Sequence, residues 1–359
     1  MQKKTEAIYL GIKGWGRTEA EKANLRHFQY RFLVNGLEEC FAIHEAQPGF
    51  PLQNMLKVGF PYEISAEGGA LLSVKELPVP ALPAYQPPVC GVPGVRTVAN
   101  FLRTALEPVG TTLYVFGGGW NWQDEGTAVS ARTLGVSPDW VRFFRNQDGL
   151  YTYKDPDNSE EKRDPAHSFY PFGGINQYHY AGQDCSGYVG WAVYNTLETE
   201  SGRPGYVGGA NGMAKRFAEA GLGQWTKEEN LAAALRPGDI VSMDGHVWIS
   251  VGVCADGSAV ILHSTPSLSR MNQPGGGVQI GAVGRDTDCE AYRLADRCMT
   301  AHFPAWHERY ETTLKSPELY FSLKQPENGL FSWRPDVLAD PDGIREMSAG
   351  EALKLLFSK

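Results

Sequence analysis

The chain has no long hydrophobic run: nothing in its 359 residues approaches the ~20 consecutive apolar positions that a membrane-spanning helix needs. Its first residues carry Lys3 and Lys4, but no apolar segment follows before Lys13 and Arg17, so no secretory leader and no membrane association are expected, and the cytoplasm is the expected location. Lysine and arginine are outnumbered, 33 against 41 acidic residues for a net charge of -8, and nowhere form a cluster, which excludes nucleic acid as a partner bound through a basic field. Cysteine is sparse. The six, at 40, 90, 185, 254, 289 and 298, make no Cys-x-x-Cys pair, which argues against structural zinc and a disulfide framework alike. No histidine and carboxylate cluster has metal-ligand spacing, so neither metal nor cofactor is expected. Internal repetition is confined to one short echo, Tyr114-Val115-Phe116-Gly117-Gly118 and Tyr170-Pro171-Phe172-Gly173-Gly174.

What is there is ordinary globular material, 42% apolar and 21% charged, long enough for at least two domains. Residues 1–78 read as β structure. Phe28, Tyr30, Phe32 and Val34 alternate, Asn35-Gly36 supplies a type I′ turn, and Leu37, Phe41 and Ile43 run back in step. With further short runs near Leu56–Ile64 and Leu71–Val74, the economical solution is a small closed barrel, SH3-like or OB-like, because closure removes sheet edges. A proline-rich connector over 79–94 is stiff and extended and marks the domain boundary. Beyond it the pattern is α+β. Helices are expected over Val98–Leu106, Pro138–Phe144, Gly209–Ala220 and Leu231–Leu235, with a charged loop at 155–164. The period then switches to two, with strands at Asp239–Met243, His246–Val253, Ser258–His263 and Val278–Val283. Residues 285–359 are illegible except for a closing helix at Ser348–Leu356, whose Ser348 and Glu351 have the spacing of a capping box.

The stretch Gln183-Asp184-Cys185-Ser186-Gly187 begins a helix through Leu197, with Val189, Ala192, Val193, Thr196 and Leu197 at amphipathic spacing. Asp184 takes the N-cap position and Cys185 the first turn. Unpaired N–H groups and the helix dipole there favour a thiolate, so Cys185 is a candidate nucleophile as well as a small core residue.

Two histidines follow in the strands. His246 shares a strand face with Trp248 and Ser250, and its distance from His263 depends on the hairpin between them. A two-residue loop at Asp256-Gly257 sets Ser250 opposite His263, leaving the histidines roughly 13 Å apart along the strand. A four-residue loop over Cys254–Gly257 sets Trp248 opposite His263 and makes the histidines diagonal neighbours on one face. The longer loop is the expectation. Cys185 is then the nucleophile, His246 its proton partner, and His263 the residue that fixes the tautomer of His246. His27, His44, His167, His179, His302 and His307 have no such arrangement.

These segments together resemble the NlpC-type family of papain-like cysteine peptidases. The matching elements are a helix followed by Tyr114–Gly118, then Asp184–Tyr188, Pro237-Gly238-Asp239-Ile240-Val241, Gly245–Ile249 and Ile261-Leu262-His263-Ser264, within residues 95–285. The resemblance implies an α+β catalytic domain over 95–359, with an insertion at 119–182 and an extension at 285–359. It implies an endopeptidase that hydrolyses γ-D-glutamyl-L-diamino-acid bonds in peptidoglycan-derived peptides through an acyl-enzyme on Cys185. It also implies that Asp184 and Ser186 hold a substrate amine and that the N–H of Cys185 contributes to an oxyanion hole. The family's active-site tyrosine corresponds to Tyr114, which follows the expected helix, or to Tyr170, which lies nearer the usual distance from the cysteine. Two other readings stay open, an acyl or lipid transferase on the same fold and a non-catalytic peptide-binding module.

Overall fold

The structure, a computed structural model, describes residues 4–13, 29–43, 56, 60–79, 85–114, 118, 131–138, 140–142, 144–145, 182–270 and 274–358. It is a mixed α and β protein built on two sheets. The first closes on itself as a barrel from β1 (Lys4–Lys13), β2 (Gln29–Val34), β3 (Leu37–Ile43), β4 (Pro61–Glu67) and β5 (Ala70–Glu76), in the order β1-β2-β3-β5-β4. Tyr9, Tyr30, Phe32 and Tyr62 fill it as a set of tilted and edge-on rings, so aromatic bulk supplies most of a core that so few strands enclose. Asn35 and Gly36 both have positive φ, 51° and 80°, as the type I′ turn between β2 and β3 requires. Leu37, expected to point inward, is exposed.

The segment after the barrel is stapled to the helix beyond it. Asn100 accepts a hydrogen bond from the N–H of Val92 and donates to the carbonyls of Val92 and Val95, while the N–H of Gly91 donates to Glu107. Asn100 lies within that helix, α1 (Val98–Leu106), and Glu107 ends it; α1 is capped by Thr97 and buried on nearly every side. The next helix is α2 (Cys185–Leu197). All thirteen of its residues are buried, so the amphipathic expectation is corrected: a helix buried all round lies inside a domain, with no polar face to show.

The expected helix at 209–220 divides into a short 3₁₀ turn and α3 (Met213–Glu219), followed by β6 (Gly223–Thr226) and α4 (Leu231–Ala234). Then come β7 (Ile240–Met243), β8 (His246–Val253), β9 (Ala259–Leu268) and β10 (Pro274–Val283). The remaining chain forms α5 (Glu290–His302), α6 (Pro304–Arg309), β11 (Leu314–Lys315), α7 (Pro317–Tyr320), β12 (Gly329–Trp333) and α8 (Ala349–Phe357), the last with both halves of its capping box made by Ser348 and Glu351.

The second sheet has the order β11-β10-β9-β8-β7-β12-β6. Two strands from the expected extension are integral to it: β12 sits between β7 and β6, and β11 forms the far edge. One face carries Val247, Ile249, Leu262 and Ile280 against α2. The other carries His246, Trp248, Ile261 and His263, with Tyr320 of α7 packed over them.

Residues 119–182 leave and return at one place. The N–H of Gln183 donates to Leu113 and that of Asp184 to Gly118, at 3.0 and 2.8 Å, so the chain on either side of this segment runs together. The expected helix near 138–144 is present at residues 138, 140–142, 144 and 145. The charged loop at 155–164, the echo at 170–174 and His27, His44, His167 and His179 lie outside the described residues.

Candidate functional site

Asp184 caps α2 as its position dictates, its carboxylate accepting from the N–H of Gly187 at 2.6 Å and from the hydroxyl of Ser186 at 3.1 Å. Those bonds hold the first turn rigid with Cys185 at its start. Cys185 is 6% exposed. The backbone N–H groups of Val247, Ser186 and Cys185 itself are near enough to favour its ionised form, though none makes a hydrogen bond to it among the described residues. Val247 immediately follows His246, so the sulfur sits at the entrance of the strand that carries the imidazole. Tyr320 is a second marker of position: its phenol is close enough to feel the charge of Cys185, and its ring centroid lies 5.5 Å from that of His246 and 6.1 Å from that of His263.

The two histidines are joined. Nε2 of His246 lies 3.4 Å from Nδ1 of His263, and Nε2 of His263 lies 2.8 Å from the hydroxyl oxygen of Thr313. The register that makes them neighbours arises in an unexpected way. Val253 pairs with Ala259 across a loop of five residues, not four, and by itself that would set the strands one residue out of step. An irregularity between Ser250 and Gly252 removes the difference, so Ile249 pairs with Leu262 and the ladder continues toward Trp248 and His263. Gly252, with φ of 137°, adopts a conformation that a side chain disfavours, and the first residue of α8 packs onto it.

Gly281 explains the contact with Thr313. A Cβ there would lie 2.4 Å from the Thr313 hydroxyl and 2.9 Å from Nε2 of His263, so only a glycine leaves room for that hydrogen bond.

The electrostatics differ from the thiolate expectation. Burial first, then the neighbouring Asp184 carboxylate, push the Cys185 thiol up to about 12, and the three N–H groups only partly offset this. Burial and then the positive charge of Lys315 lower His246 to about 3, and His263 is held well below its ordinary range by burial, His246 and Lys315 in that order. At neutral pH the resting site is therefore thiol and neutral imidazole, not an ion pair. Among the described residues no hydrogen bond joins the thiol to His246.

Neutral imidazoles leave two proton arrangements along the chain. In one, Thr313 donates to His263 and His263 donates to His246, which places a proton on Nδ1 of His246. In the other, Nε2–H of His246 donates to His263 and Nε2–H of His263 donates to Thr313, which leaves Nδ1 of His246 as a free base. Only the second can accept a proton from a thiol.

Of the expected substrate-binding residues, Asp184 and Ser186 are engaged with each other and with the helix start. Tyr114 is buried, its N–H bonded to Gly276, in the segment whose Leu113 carbonyl accepts from Gln183. Tyr170 lies outside the described residues. Thr313, Lys315 and Tyr320 escape a reading of the sequence, because they come from a region whose short elements carry no periodicity. Gln183 and Gln279 are fully buried, and among the described residues their carboxamides have no hydrogen-bond partner. Gln279 pairs with His263 across β9 and β10. A buried polar group left unpaired costs about 1–3 kcal/mol.

Among the described residues no helix is long and apolar enough to cross a membrane. No protein-family model, no curated protein and no solved structure matches the chain.

Proposed function

We propose that the protein is a papain-like cysteine peptidase of the NlpC type that cleaves γ-D-glutamyl-L-diamino-acid bonds in peptides derived from peptidoglycan. The observation that carries this reading is the linked arrangement at the strand entrance: a thiol at the first turn of a buried helix beside the N–H of Val247, and the chain His246–His263–Thr313 starting one residue away. Nδ1 of His246 takes the thiol proton as sulfur attacks the scissile carbonyl, and the N–H groups at the helix start face the developing oxyanion. The imidazolium formed then protonates the leaving amine. Water enters, loses a proton to the same nitrogen and hydrolyses the thioester. Because the resting pair is neutral and no hydrogen bond joins its members, proton transfer accompanies attack, and thiol and imidazole come together only when substrate fills the site. His263 and Thr313 hold the ring and its tautomer throughout.

One observation favours a second reading. Cys185 is almost wholly covered and its thiol is held protonated, as suits a non-catalytic peptide-binding module. The two separate in a digest of a γ-D-glutamyl-diaminopimelate tripeptide and tetrapeptide followed by mass spectrometry. Cleavage by the wild type and loss of at least ~1000-fold in Cys185→Ala is the expected result. Unchanged turnover in the variant removes Cys185 as nucleophile. Binding without cleavage by the wild type establishes the module, and a stable acyl adduct passed to an added amine points to a transferase.

A further inference from the structure

Lys315 ends β11 at the edge of the second sheet, where Val283 is its parallel partner on β10. It is only partly exposed, yet it makes no ion pair with any carboxylate among the described residues. Its ammonium lies 5.9 Å from the centre of the Tyr320 ring, the same ring that packs within 5.5 Å of His246 and 6.1 Å of His263. Contact with a ring face stabilises a cation less than a charged partner would. The neutral imidazoles offer the ammonium no counter-charge, and both feel its repulsion. Burial has in turn lowered the affinity of Lys315 for its own proton. A half-buried cation is expensive to keep without an anion, and none of the described residues supplies one.

We infer that Lys315 is a specificity-determining residue that pairs with a carboxylate of the substrate close to the scissile amide. The inference rests on the peptidase reading and deepens it: the segment Thr313–Tyr320 would form one wall of the site, with Thr313 fixing the histidines, Tyr320 covering them and Lys315 reading a negative charge. In the peptide class proposed, with the α-carboxyl of diaminopimelate taken up in the next amide, that charge comes either from the free α-carboxylate of the glutamyl residue on the acyl side or from the side-chain carboxylate of diaminopimelate on the leaving side.

Three tetrapeptides distinguish the sources: L-Ala-γ-D-Glu-diaminopimelate-D-Ala, in which the α-carboxyl of diaminopimelate is an amide, the same peptide with the glutamyl α-carboxylate amidated, and the same peptide with L-Lys in place of diaminopimelate. Each is assayed with the wild type, Lys315→Met and Lys315→Arg. Pairing predicts that the wild type loses about 10- to 100-fold in kcat/KM on one of the two peptides lacking a carboxylate, mainly through KM. Lys315→Met erases that preference, and Lys315→Arg restores most of it. A wild type indifferent to both carboxylates, or a Lys315→Met that lowers all three peptides equally, overturns the inference while leaving the peptidase intact. Calorimetric binding of the same peptides to Cys185→Ala separates the two claims if the wild type cleaves none. Binding weakened by Lys315→Met only when the carboxylate is present keeps the anion site and removes the peptidase, whereas binding insensitive to Lys315 removes the site.

Discussion

At the scale of single residues, the site is defined by what surrounds the reactive groups. A cysteine at a helix start is expected to ionise readily, but here burial and the Asp184 carboxylate outweigh the helix terminus and three N–H groups. A thiol whose pKa is raised is protonated below that value, so alkylation must rise steadily with pH and show no neutral-pH plateau. Site-resolved mass spectrometry after iodoacetamide treatment at pH 7 should find Cys185 labelled more slowly than the exposed Cys40. Gly281 offers a second test. A methyl at that position meets the Thr313 hydroxyl and Nε2 of His263, so Gly281→Ala should lower kcat by about 10- to 100-fold with KM little changed. Thr313→Val, which removes the hydroxyl and keeps the shape, should reproduce most of that loss. If steady-state kinetics show either variant unaffected, the histidine chain does not orient the base.

Among the elements, helix α2 links stability to reactivity. Asp184 caps it, and the same carboxylate raises the thiol pKa. Asp184→Asn should retain capping, since both side chains serve at that position, while lowering the thiol pKa and speeding alkylation at pH 7. Asp184→Ala should cost ~1 kcal/mol in urea unfolding as well. The type of each element around the site was legible from residues 98–106, 185–197 and 240–283; for the fully buried helix at 185–197 its length and the cap at Asp184, not an apolar face, carry the reading. The hairpin shows where this stops. Ile249 opposite Leu262 is the register expected, one step from Trp248 and His263, but it is reached through a longer loop and a bulge at Ser250–Gly252 that cancel. Alternation of side chains cannot report an extra residue that restores its own phase.

For the molecule as a whole, two neutral histidines, His263 buried and His246 half-buried, make stability depend on pH. Their folded pKa values lie below the ordinary 6.5, about 3 for His246 and well below 6.5 for His263. The unfolded chain therefore takes up protons that the folded chain refuses. Their contribution is complete above pH 6.5 and declines as pH falls toward the folded values. Potentiometric measurement at pH 5 should find that His246→Asn takes up about one proton fewer on unfolding than the wild type. Equal uptake would mean that His246 titrates normally in the folded protein.

The sequence by itself determined the barrel turn at Asn35-Gly36, the cap at Asp184, the helix after it and the strands bearing His246 and His263, all features fixed by neighbours a few residues apart. Tertiary structure alone decided that β12 enters the middle of the second sheet, that Thr313 completes the histidine chain and that Tyr320 packs on both histidines with Lys315 against its ring. Those contacts join residues far apart in the chain, as His263 with Thr313, 50 positions away. It also decided the charge state of Cys185, since a thiol ionises according to the solvent it has lost and the carboxylate beside it, and burial exists only once the chain has folded.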